Sequence, residues 1–493
     1  MIADHLPALQ VVLPLLAAPL CALLRRGTLA WALAFIVALS LPFVASALLI
    51  EVLANGPISY ELGSWPPPYG IEYRVDVVNA FLLILVSGMG AVTLFYARES
   101  VAAEVPEPQQ PWFYTMFMLS LAGLLGMAIT GDVFNVFVFM EISSLSSYVL
   151  IALGRDRRAL LAAYQYLIMG TIGATFFVIG IGFLYTMTGT LNMVDMASRI
   201  ATMGSNSAIL AGLAFLTVGI SLKLALFPLH LWLPNAYAYA PSVATAFISA
   251  TATKVAIYLL LRFVFSIFGV SLPIDELPLP EVLLAFSVVA IFATSIVAIF
   301  QDDVKRMLAY SSVAQIGYIT LGIALANQTG LTGGIVHLFN HAVMKGALFL
   351  LIGGVALRLG SVKLADLAGL GRRMPLTMAG VVIGGLSLLG TPLTVGFVSK
   401  WYLVLGAIEL GYWWLVALIV AGSLLALVYM GRIVEVAYFR PPSPLAEKAV
   451  EAPLSMLAPA LLLAGACVYF GIDTSVTVEV AARAAQTLLR GLP

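Results

Sequence analysis

The sequence is poor in charge. Asp, Glu, Lys and Arg make up 10% of its 493 residues, against roughly 25% in soluble domains. A soluble fold of this length would need far more polar surface, so that class is excluded. A hydrophobic fraction of 62% and a mean hydropathy of +1.05 also exclude disordered, collagen-like and disulfide-rich chains. The net charge is zero, which leaves no basic face for nucleic acid. Cysteine is scarce too. Cys21 and Cys467 lie in apolar stretches at opposite ends of the sequence. Without a CxxC or a Cys/His cluster, no zinc or iron–sulfur site is expected from this chain alone. Glycine-rich runs such as GTIGATFFVIGIG match neither a phosphate loop nor a dinucleotide fingerprint, so they read as packing and no cofactor is expected. The first residues, MIADHLPALQ, hold Asp4 and no basic residue. That predicts a retained first helix rather than a cleaved signal.

What the sequence does have is long apolar runs. A bilayer-spanning helix needs about 20 such residues. The ~10-residue alternation of a membrane β-barrel is absent. The reading is an all-α polytopic membrane protein with about fourteen spans. They fall near 7–24, 28–53, 76–97, 113–130, 132–153, 162–188, 208–230, 242–270, 281–301, 307–326, 330–358, 376–402, 409–434 and 453–472. Basic residues test this count, because they collect on the cytoplasmic side. Fifteen of them, from Arg25 and Arg26 to Arg440 and Lys448, fall in the same set of alternate loops. Arg74, Arg199, Arg262, Arg483 and Arg490 fall opposite. The bias predicts a multi-pass protein of a prokaryotic inner membrane with both termini outside.

Four lysines remain, and all lie inside spans: Lys223, Lys254, Lys345 and Lys400. Glu141 is the acid placed squarely within one. A charge at the bilayer centre costs about 2.5–3.5 kcal/mol on insertion scales, so such residues mark ion or substrate paths unless they snorkel. Glu141 precedes Ser143, Ser144, Ser146 and Ser147, which either solvate a carboxylate or let helices approach closely. Asp132 stands at the start of the same span. Pro228 follows Lys223, and Pro392 precedes Lys400. Proline breaks a helix and frees carbonyls at membrane depth. Two broken spans five apart, each with a lysine, suggest inverted repeats around a midplane ion path. The proposed units are spans 4–8 and 9–13. The corresponding segments are 1–112, 113–270, 281–434 and 435–493.

In HLFNHAVMKGALFL, the residues His337, His341 and Lys345 recur every four positions and stripe one helix face. Histidine carries protons near neutral pH. The same histidines could instead bond to backbone or serine across helices. A metal site is disfavoured, since no acidic ligand accompanies the pair. His230 extends a path from Lys223 or caps the broken helix. Glu141, Lys223, Lys254, His341 and Lys400 then form a proton line, with His230, His337, Lys345 and Asp132 as further members.

Several segments carry a family resemblance: LFPLHLWLPNAYAYAPS, ATKVAIYLLLR, DDVKRMLAYSSVAQIGY, HLFNHAVMKGALFL and GTPLTVGFVSKWY. They resemble the antiporter-like subunits shared by respiratory complex I, membrane-bound hydrogenases and Mrp-type multisubunit cation/proton antiporters. ELGSWPPPYGIEYRVD and TGDVFNVFVFMEI are most similar to the D-type subunit of the Mrp antiporters. The resemblance implies fourteen helices, two inverted five-helix repeats, and a Glu–Lys pair at Glu141 and Lys223. It further implies a connecting Lys254, a histidine at His341 and a terminal Lys400. The central complex I subunit carries an acid at the position of Lys400, which counts against that assignment. The long lateral helix of the distal subunit is not expected here.

Three functions follow. The first is a proton-translocating subunit of a multisubunit Na⁺/H⁺ antiporter, with other subunits, the bilayer, protons and Na⁺ as its partners. The second is a proton-pumping subunit of a redox complex whose chemistry lies on partner chains. The third is a standalone solute carrier. None makes this chain an enzyme.

Overall fold

The computed structural model describes residues 3–269 and 276–491. Its helices are α1 (Leu6–Leu23), α2 (Gly27–Asn55), α3 (Val77–Glu104), α4 (Gln110–Ile129), α5 (Val133–Ala152) and α6 (Arg158–Thr188). Then come α7 (Met193–Met203), α8 (Ser207–Leu224), α9 (Leu233–Tyr239), α10 (Ser242–Leu261), α11 (Leu279–Ile299) and α12 (Val304–Ala324). The series ends with α13 (Gln328–Leu359), α14 (Pro375–Leu389), α15 (Val395–Glu409), α16 (Trp413–Phe439), α17 (Leu454–Ile472) and α18 (Ser475–Arg490). A two-stranded hairpin, Ile58–Glu61 with Glu72–Val75, joins α2 to α3.

Among the described residues, thirteen helices are long and apolar enough to cross a membrane. The fourteenth crossing is α14 followed by α15. Each has 15 residues, or roughly 22 Å of helix, too short alone for a ~30 Å core. Fourteen crossings therefore match the apolar runs of the sequence. The expected end of the eighth span at residue 270 lies outside the described residues, as do the last two residues of the final segment.

The two repeats comprise α4–α10 and α11–α16, and they share a backbone joint. Asp132 caps α5 by accepting from Asn135 N at 2.7 Å, and Asp303 caps α12 by accepting from Arg306 N at 2.9 Å. Behind each cap the chain pairs with the segment that follows the next long helix. Val133 N donates to Leu191 O and Val304 N to Val362 O, both at 2.9 Å. Met193 N donates to Gly131 O at 2.8 Å, and Leu364 N to Asp302 O at 2.7 Å. One joint opens the second helix of the first repeat and the other opens the second helix of the second. An odd number of crossings separates them, so they face opposite sides of the membrane.

Helix α13 runs through the middle of the bundle, packed by α10, α12, α14, α15, α17 and α18. Close backbone approach holds its first third. A Cβ on Gly322 of α12 would meet Gly334 Cα at 2.7 Å, and one on Gly406 of α15 would meet Gly330 Cα at 2.6 Å. Only glycine permits these contacts.

Two features depart from the sequence reading. The tail after the last span contains α18, whose buried face (Thr477, Val480, Ala481, Ala484, Ala485, Leu488) lies on α3 and α13. Its polar face and short length hide it from a search for apolar runs. Arg262, expected in an outer loop, is buried in a π-helical turn that extends α10. Its guanidinium meets Asp76 at 2.7 and 2.9 Å and Tyr258 Oη at 3.2 Å. The pair ties the start of α3, where Asp76 caps the helix, to the first repeat. Removing one member of a buried ion pair costs about 3–5 kcal/mol. Asp76→Ala is expected to lower the thermal unfolding midpoint, and Arg262→Leu in the same chain to recover part of the loss. A thiol-reactive dye measures both, because the buried thiols of Cys21 and Cys467 become exposed on unfolding.

Candidate functional site

The first half of the site forms where α8 stops. Ala225 adopts a left-handed conformation (φ 59°) and the helix ends at Leu224. Pro228 lies in the non-helical link 225–232, after the break has begun. The freed carbonyls need donors at this depth. Leu226 N supplies Ser221 O, and Trp232 Nε1 supplies Leu222 O, both at 3.0 Å. Lys223 therefore sits in the last helical turn, just before the break. Its ammonium donates to Ser144 Oγ at 2.7 Å and lies 3.8 Å from Glu141 Oε1. Glu141 and Ser144 are one turn apart on α5. The carboxylate is 28% exposed on the flank of the chain, while Lys223 is 7% exposed.

The serines divide between the two readings. Ser144 holds Lys223. Ser146 bonds its own helix backbone, and Ser147 bonds Ser120 of α4 at 3.0 Å. A cavity of about 20 Å³ beside Lys223 is lined by Ser143, Ser144, Ala252 and Ala256. It has room for one water. Ala252 and Ala256 share one face of α10, and Lys254, two residues from each, lies on the opposite face.

Lys254 is fully buried and donates to Ser249 O, with Thr253 Oγ1 at 3.4 Å. It lies within electrostatic reach of His337, His341 and Lys345 on α13. All three are fully buried. Lys345 donates to Leu308 O at 2.8 Å and to Ser311 Oγ. The two imidazoles stack nearly parallel, 6.3 Å between centroids. His337 bonds Ser399 Oγ at 2.7 Å and Gln315 Oε1 at 3.0 Å. Among the described residues, neither ring nitrogen of His341 has a hydrogen-bond partner.

The far end forms at the second break. Gly390 (φ 87°) and Leu393 (φ 67°) turn the chain between α14 and α15, with Pro392 in the link. Lys400, on α15, reaches back to Leu388 O and Leu389 O, each at 3.0 Å, and to Ser423 Oγ at 2.9 Å. Its ammonium also lies 4.6 Å from the Tyr318 ring centroid. A cation at a helix C-terminus is favoured by the helix dipole.

The expected site residues are not all in one row. His230 is buried, stacked on Phe227 at 5.2 Å, with Tyr310 at 6.5 Å. Asp132 sits at a membrane end as a helix cap, and burial raises its pKa while the cap bonds oppose that. Residues that charge counting misses are Ser311, Gln315 and Tyr318 of α12, together with Ser399 and Ser423. The first three recur at helical spacing in SSVAQIGY and face Lys345, His337 and Lys400 in turn. Lys305, counted as a loop residue, is buried and donates to Ser242 Oγ at 3.0 Å, beside Glu104.

This arrangement has known counterparts. The chain is 43% identical over 483 residues to NADH-quinone oxidoreductase subunit N of Desulforudis audaxviator, covering 95% of this chain and 96% of the relative. It is 32% identical over 390 residues to the D-type subunit of the Na(+)/H(+) antiporter of Alkalihalophilus pseudofirmus, covering 79% and 78%. A chain in the structure of the membrane-bound sulfane sulfur reductase, an archaeal respiratory membrane complex, superposes with a TM-score of 0.90 at 31% identity, covering 99% and 98%. The family model described as NADH:quinone oxidoreductase/Mrp antiporter, TM matches residues 130–426, from the cap of α5 into α16. That stretch holds the Glu141–Lys223 pair, both helix breaks and the α13 histidines, and the chain belongs to this family.

Proposed function

We propose that this chain is the proton-translocating subunit of a multisubunit monovalent cation/proton antiporter. Protons move along Glu141, Lys223, Lys254, His341 and Lys400, with His337 and Lys345 beside them. The observation that carries this reading is the burial of four lysines and two histidines among helices that hold two broken spans. Each ammonium is held by hydroxyls or backbone carbonyls, and among the described residues the one carboxylate paired with any of them is Glu141, beside Lys223. Such groups exchange protons with their neighbours, each shifting the next. A hard cation prefers several oxygen ligands, and Glu141 offers few, so Na⁺ passes elsewhere in the complex. The chain itself performs no covalent chemistry.

A second reading has its own support. The relative at 43% identity is named as a NADH-quinone oxidoreductase subunit, and the superposed chain comes from a respiratory complex. In that reading the same row moves protons, but electron transfer on partner subunits drives it. Affinity purification in mild detergent separates the two. Antiporter subunits alone support the first reading, and copurified flavin or iron–sulfur chains support the second.

The row itself is tested in inverted vesicles that hold the full complex. Glu141→Gln and Lys223→Ala are each expected to slow proton movement by at least about tenfold, a modest 1.4 kcal/mol on the barrier. Wild-type exchange in either variant would remove the pair from the path.

The basic loops orient the chain in a prokaryotic plasma membrane with α18 and both termini outside. A cysteine replacing exposed Glu479 is expected to react with an impermeant maleimide on intact cells, and one replacing Arg155 only after lysis. The reverse pattern would invert the topology.

A further inference from the structure

The two histidines of α13 are one turn apart and equally buried, yet they are bonded in opposite ways. His341 has no partner at either ring nitrogen among the described residues. His337 has one at each: Gln315 Oε1 on α12 and Ser399 Oγ on α15. A neutral imidazole has a single N–H. Gln315 presents a carbonyl oxygen, so it takes the hydrogen on Nε2. That leaves Nδ1 as an acceptor for the Ser399 hydroxyl. Ser399 has alternatives on its own helix, Gly396 O at 3.3 Å and Val395 O at 3.4 Å.

We infer that Gln315 and Ser399 are positioning residues that make Nδ1 the proton-exchanging atom of His337, while His341 is the ring left free to turn. This rests on the proton row proposed above. When the Lys400 ammonium gives up a proton, one of its N–H bonds breaks and leaves a neutral amine, an N–H bond forms at Nδ1 and the ring becomes imidazolium. The Ser399 hydroxyl then turns its hydrogen to Gly396 O or Val395 O and accepts from Nδ1–H. Release reverses both changes, and Nε2–H stays on Gln315 throughout. Ser399 adjoins Lys400, so exchange is confined to the side of the broken helix. The charged and titratable groups facing His337 are Lys400 from α15, Lys254 from α10, Tyr318 from α12 and His341 on its own helix. Tyr429 of α16 faces Gln315.

The test measures proton transport against pH in vesicles holding the whole complex, with Lys254→Ala as the control for the row. Gln315→Leu and Ser399→Ala are expected to slow transport by about fivefold, the factor one hydrogen bond is worth. Ser399→Thr keeps the hydroxyl and is expected to restore the rate. Gln315→Glu is expected to move the pH profile toward alkaline values, since a carboxylate on Nε2–H favours imidazolium. Should the Leu or Ala variant fail to assemble, the Thr and Glu variants carry the test. An unmoved profile in Gln315→Glu, or Ser399→Thr as slow as Ser399→Ala, would overturn the assignment while a lost Lys254→Ala activity left the row standing. Wild-type transport by Lys254→Ala would sink the row and this assignment with it.

Discussion

A backbone carbonyl inside a bilayer must find a donor within the protein, since lipid offers none. Much of this structure follows from that constraint at the two places where a span is broken. At the first break, Trp232 and the backbone at Leu226 supply two of the freed carbonyls. At the second, Lys400 supplies two by itself. Lys400 is thus not simply a charge tolerated in the membrane. Lys400 is the donor that the end of α14 requires, and Lys223 occupies the equivalent last turn of α8. At Lys400 the ammonium gains a negative helix end and the helix end gains a donor, whereas the Lys223 ammonium donates to Ser144. The same contact keeps a titratable group at membrane depth. In the proposed path, stability and proton transfer at Lys400 therefore draw on one interaction rather than competing for the site.

The fourteen crossings were legible because a bilayer imposes length and apolarity on any span, and both are visible in composition. The amphipathic helices α7 and α18 were not, since each buries only one face and reads as polar sequence. Arg262 shows a different limit. A basic residue at the end of an apolar run looks the same whether it faces water or Asp76, and the partner lies 186 positions away. Among the site residues, the lysines, Glu141 and the histidines stood out because charge is so scarce. Gln315, Ser399 and Ser423 did not. Neutral hydroxyls and amides are common in helix packing, and only a bonded neighbour distinguishes their work.

The repeat symmetry was legible only in the layout of the two broken spans, not in matching residues. Its clearest sign is a set of backbone bonds behind Asp132 and Asp303, and backbone bonds leave little trace in side-chain identity. The two halves have since diverged in their polar groups. The first carries a Glu–Lys pair open to the flank, and the second encloses two imidazoles and two lysines, Lys345 and Lys400. One fold turned over thus yields one port that a neighbouring chain can reach and one interior segment that it cannot.

The glycine contacts on α13 have a mechanical consequence. Gly406 presses on Gly330, and Gly322 on Gly334, so the outer ends of α12, α13 and α15 are clamped together. Lys400 lies six residues from Gly406, roughly 9 Å along the helix. The start of α15 is seated as closely, since a Cβ on Gly396 would run into Ser387 O and Asn340 Nδ2 donates to Val395 O at 2.6 Å. A tilt of about 10° would carry the Lys400 backbone about 1.5 Å, enough to open a hydrogen bond of ordinary length. Holding α15 at both ends prevents such a tilt and keeps the ammonium on its carbonyls.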